Sequence, residues 1–98
     1  MADLLDDHAI DKALADLPDW RRDGDALVLT AELPSFPTAI KVVDQVAERA
    51  ERANHHPDID IRWRKLTFSC STHSDGGITE LDVRMAGEIS DCVRALRD

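Results

Sequence analysis

Two cysteines in 98 residues are too few for a disulfide framework, and Cys70 and Cys92 lack the close spacing of a metal or redox motif. Reduced thiols buried in a core are the expectation. Basic residues are also scarce. Twelve Lys and Arg stand against twenty Asp and Glu, for a formal charge of −8, and Arg21-Arg22 is the only adjacent Arg pair. A dispersed minority of cations on an acidic chain argues against direct binding of nucleic acid or of an anionic membrane surface. Long apolar runs are missing altogether, so no segment approaches the ~20 residues of a membrane span. The start, Met1-Ala2-Asp3-Leu4-Leu5-Asp6-Asp7, has neither the basic beginning nor the apolar stretch of a secretory signal. A cytoplasmic protein is expected, and the lack of repeats or linkers makes residues 1–98 one domain.

What the chain has is regular alternation. Ile10, Ala13, Leu14 and Leu17 recur at helical spacing behind acidic residues, and Pro18 ends that helix. Asp23-Gly24 signals a hairpin turn after Trp20-Arg21-Arg22, and Leu27, Leu29, Ala31 and Leu33 alternate with period two beyond it. Ser35 caps a second helix, running to about Asn54, on which Phe36, Ile40, Val43, Ala47 and Ala50 define an apolar face. Ile59, Ile61 and Trp63, then Leu66, Phe68, Cys70 and Thr72, predict a second strand pair turning near Lys65. After the Ser74-Asp75-Gly76-Gly77 loop, Thr79 opens a last helix that buries Leu81, Met85, Ile89, Cys92, Val93 and Leu96. The order α-β-β-α-β-β-α implies an α+β two-layer sandwich, a four-stranded antiparallel sheet with three helices on one face and the other face partly open.

Three of the four histidines gather at two points of this layout. His55 and His56 precede Pro57, which disfavours helical backbone at His56 and so places the pair at a helix-to-strand corner. His73, at the end of the fourth strand, has the parity of Thr67, Ser69 and Ser71 and points away from the core. Glu51 stands four residues before His55, the spacing that puts a carboxylate and an imidazole on one helix face, either as an acid–base pair or as an exposed ion pair. Asp82 follows Thr79 by three residues, the pattern of a helix cap. Trp20 and Trp63 could stack on a flat ligand or belong to the core. His8, among acidic residues, reads as solvated. Three histidines and a carboxylate also make a ligand inventory for a metal, but adjacent histidines on extended backbone point apart, so no metal is expected.

The run Ala47-Glu48-Arg49-Ala50-Glu51-Arg52-Ala53-Asn54-His55-His56-Pro57-Asp58, the triplet Ser71-Thr72-His73, and Gly77-Ile78-Thr79 with Asp82 together resemble the signature of the pterin-4a-carbinolamine dehydratases. The likeness spans nearly the whole chain. Ile59 departs from it, standing where animal members tend to have Trp, and Leu33 and Val42 replace frequent phenylalanines. The resemblance implies the same sandwich fold and a hydro-lyase that dehydrates a 4a-hydroxytetrahydropterin to a quinonoid dihydropterin, as in tetrahydrobiopterin recycling, without a cofactor. Its site histidines carry over onto His55, His56 and His73, its helix carboxylate onto Glu51, and a further acidic residue onto Asp82. On that reading His55 and His73 exchange protons, His56 holds the substrate with Trp20 and Trp63 as further candidates, and Glu51 orients a histidine. A homodimer or homotetramer is implied as well. The alternative it carries is a non-catalytic interaction module that stabilises a partner's dimer.

Overall fold

The computed structural model describes residues 3–97. Asp6 begins helix α1 (Asp7–Ala15) by accepting the Ala9 N–H at 2.8 Å. Only Ile10 of α1 is buried, with Leu17 joining the core just beyond it. Strands β1 (Trp20–Asp23) and β2 (Ala26–Glu32) follow, joined at Gly24, whose φ of +57° a side-chain-free residue adopts at no steric cost. Ser35 then caps helix α2 (Phe36–Ala53), accepting the Thr38 N–H at 3.2 Å. Strands β3 (Asp58–Arg62) and β4 (Lys65–Cys70) make the second hairpin, and a single 3-10 turn (His73–Asp75) leads to helix α3 (Glu80–Arg97).

The sheet is antiparallel in the order β1-β2-β4-β3, so the two hairpins join through their second strands. Register sets the faces. Leu27 lies opposite Cys70, Leu29 opposite Phe68 and Ala31 opposite Leu66, and all six side chains are buried on the side that receives the helices. Met85, Ala86, Ile89, Cys92 and Val93 of α3 and Ala39, Val42, Val46 and Ala50 of α2 complete that core. The expected α+β sandwich is therefore the architecture found.

Four local expectations are corrected. The buried face of α2 is Ala39, Val42, Val46 and Ala50, while Phe36 and Ala47 are exposed. This helix carries two neighbouring apolar stripes, and period alone does not choose between them. Leu81 is exposed and Asp82 takes its place on the buried face of α3. Trp63 belongs to the β3–β4 turn, not to β3, because Arg62 already pairs with Lys65. It adopts φ +56°, an uncommon conformation for a bulky residue, with the Arg64 guanidinium 4.7 Å from its ring centroid. Finally, β4 ends at Cys70, so His73 starts the 3-10 turn instead of closing the strand.

Both cysteines are free and buried, as expected. Burial, with the nearby charges of Asp82 and Asp58, pushes the Cys70 thiol up to about 12, so it stays protonated and unreactive at neutral pH.

Candidate active site

The corner after α2 is built by its backbone. Asn54 adopts the left-handed conformation (φ 50°, ψ 43°), and the helix closes behind it with Asn54 N–H donating to Glu51 O at 3.2 Å and His55 N–H donating to Ala50 O at 3.1 Å. Pro57 then keeps His56 extended. The two imidazoles diverge from this corner. His55 turns inward, and its Nε2 lies 2.6 Å from Asp82 Oδ1. His56 turns outward, and its Nε2 lies 2.5 Å from Glu51 Oε2. Helical spacing had paired Glu51 with His55. The left-handed step at Asn54 ends the helix before that spacing applies, and Glu51 meets the next residue instead.

Asp82 comes from the first turn of α3 and is fully buried. It is the cap that its spacing suggested: its Oδ2 accepts the Thr79 N–H at 2.9 Å, while Thr79 Oγ1 accepts the Leu81 N–H at 3.2 Å. It also does more. Oδ2 accepts the Thr72 hydroxyl at 2.7 Å, leaving Oδ1 for His55. One carboxylate thus joins the α2 corner, the start of α3 and the segment that carries His73. A buried anion is tolerated only with such a complement of donors.

His73 follows Thr72 directly and is exposed. It borders an open hollow of about 330 Å³ at one end of the uncovered sheet face, lined also by Asp25, Ala26, Asp58, Ser69, Ser71 and Gly76. That volume is within the range of small-molecule sites. His55 and His56 do not line this hollow, and the chain from His56 reaches its wall two residues later at Asp58. The tryptophans lie elsewhere. Trp20 is core, its Nε1–H donating to Ser90 Oγ at 2.7 Å, and Trp63 sits at the end of the β3–β4 hairpin opposite the histidine corner. Sequence reasoning read Thr72 as a strand residue and Thr79 as a helix cap, and gave neither a place beside the histidines. The signal was available for Thr72, whose parity with Leu66, Phe68 and Cys70 buries a hydroxyl that must then find a partner.

The model of the family described as pterin 4 alpha carbinolamine dehydratase matches residues 3–92 of this chain. The chain belongs to the pterin-4a-carbinolamine dehydratase family. A relative from Nocardia farcinica, provisionally named as such a dehydratase, is 56% identical over 92 residues, covering 94% of this chain and 97% of its own. One from Roseiflexus castenholzii, provisionally named in the same way, is 52% identical over 95% of this chain and all of its own. Among solved structures, a transcriptional coactivator/pterin dehydratase from Brucella melitensis superposes with a TM-score of 0.87 at 29% identity, covering 90% of this chain and 96% of that one. A pterin dehydratase-like RuBisCO assembly factor of the alpha-carboxysome shares the fold, with a TM-score of 0.65 at 18% identity over 76% of this chain and 88% of its own. The dehydratase fold is thus found in proteins described by quite different roles.

Proposed function

We propose that this protein removes water from a 4a-hydroxytetrahydropterin, using His55 and His73 as its proton-transfer pair. The reaction takes a proton from N5 and expels the hydroxyl from carbon 4a as water, leaving a quinonoid dihydropterin. Both events need groups that exchange protons near neutrality, which imidazoles supply. His56 holds the substrate, and Glu51 orients His56. The observation that carries this reading is the bridging role of Asp82, whose two oxygens bind His55 and, through Thr72, the segment that begins with His73. No metal or organic cofactor enters the scheme.

A stopped assay of 4a-hydroxytetrahydropterin dehydration with purified, chelator-treated protein tests it. Turnover well above the spontaneous rate is expected. A rate equal to background, or activity that returns only with added zinc or iron, would overturn it.

The assembly proposed is a symmetric homodimer or homotetramer. Strand β3 is an edge with Ile61 42% exposed, and Phe36 at the start of α2 is 47% exposed, surfaces that an isologous contact can cover. Sedimentation at tens of micromolar is expected to show a species of two or four chains, and monomer alone would count against it. The same exposed residues, with Trp63 at 69%, favour a second reading, a non-catalytic module that binds a partner protein. It moves to first place if the assay finds no turnover.

A further inference from the structure

The hydrogen bonds around Asp82 have a direction. The Thr79 backbone N–H can only donate, and it donates to Oδ2 at 2.9 Å. The Thr72 hydroxyl donates to the same oxygen at 2.7 Å. With its proton committed there, Thr72 Oγ1 meets Thr79 Oγ1, 2.7 Å away, as the acceptor. Thr79 Oγ1 in turn accepts the Leu81 N–H at 3.2 Å. Every link from Leu81 through Thr79 and Thr72 donates toward Asp82, and Thr72, Thr79 and Asp82 are buried, so water does not reverse the links among them. Oδ1 is then the oxygen left to face His55 Nε2 at 2.6 Å.

We infer that the donors gathered on Oδ2 keep Asp82 a carboxylate that can only accept at Oδ1 and so hold His55 as its Nε2–H tautomer, which makes Nδ1 the nitrogen that exchanges a proton with the substrate and Thr72 a positioning residue for it. The carboxylate accepts the Nε2 proton, and the other ring nitrogen keeps a free lone pair. The inference rests on the dehydratase reading only for what Nδ1 acts upon, since the tautomer belongs to the free protein. His56 is not held in this way, because its carboxylate partner Glu51 is 78% exposed and open to water.

Long-range proton–nitrogen correlation on 15N-labelled protein, with the pH raised until the His55 shifts no longer change, reads the tautomer of the neutral ring directly. In the parent protein the His55 Nε2 shift should be that of a protonated nitrogen and Nδ1 that of a bare one. Asp82→Asn makes a sharper demand. Because the Thr79 N–H can only donate, the amide oxygen must take the Oδ2 position, and the amide N–H then faces Nε2. The ring must change to its Nδ1–H form, the two nitrogen shifts should exchange, and kcat should fall by about 10²-fold or more. Thr72→Val should move the two ring shifts toward each other, and Thr72→Ser, which keeps the hydroxyl, should restore the parent pattern. A parent His55 in the Nδ1–H form overturns the inference without any variant. So does a folded Asp82→Asn protein with unmoved shifts, and parent-like shifts in Thr72→Val remove Thr72 from the chain. Should the tautomer be as expected in a protein without turnover, the dehydratase reading falls and the inferred tautomer stands.

Discussion

His55 and His56 are neighbours in sequence, and each brings Nε2 to a carboxylate at nearly the same distance, 2.6 and 2.5 Å. Their surroundings are opposite. The side chains of the first pair, His55 and Asp82, are 11% and 0% exposed, whereas those of the second, His56 and Glu51, are 55% and 78% exposed. Coulomb attraction is weakened severalfold by water, and exposed long side chains also lose entropy when held, so equal distances do not mean equal energies. The buried pair can fix one arrangement of protons. The exposed pair can bias the orientation of an imidazole that a ligand must still reach.

The widest separation between the pairs should appear in stability. Asp82→Ala leaves the Thr79 N–H, the Thr72 hydroxyl and the His55 ring without their acceptor in a buried place, and should cost about 3–5 kcal/mol in chemical denaturation. A loss under about 1 kcal/mol would mean that the network is not a unit. Catalysis should divide the histidines next. His55→Ala and His73→Ala should each lower kcat by about 10²-fold after correction for the spontaneous reaction, whereas His56→Ala should mainly raise KM. Equal losses of kcat in all three would erase the distinction between the neighbours. The smallest effect belongs to Glu51→Gln. Its activity should stay within about threefold of the parent, and the difference should shrink further in high salt. An effect of Glu51→Gln as large as that of Asp82→Ala would break the comparison.

The fold was legible because burial follows period. Inward Leu27, Leu29, Leu66 and Phe68 alternate with residues of the other sheet face, of which Val28 is itself buried, and Asp23-Gly24 and Pro57 punctuate the chain where it turns. Period failed where it was ambiguous, on the doubly apolar α2, and where a charge took a core position, at Asp82. The placement of His55 and His56 at a helix-to-strand corner was legible, but their partners were not. Helical spacing pointed Glu51 at His55, and nothing local announced that Asn54 would take a left-handed step first. The cap reading of Asp82 was correct for one oxygen and silent about the other, because a bond to a residue 27 positions away is set by packing and leaves no mark on spacing.

The left-handed step at Asn54 has a further meaning. His55 and His56 are chemically the same group, and the bend of a single residue decides which one enters the dry interior and which one stays in water. Identity at this corner is therefore an address and not a composition. Lengthening or shortening the chain by one residue there would move one histidine into the other's place and push its neighbour out of the site, so the length of this short loop matters as much as the two side chains it carries. Divergence of such a domain can be expected to vary its surfaces freely while keeping the count of residues between Ala50 and Pro57 fixed.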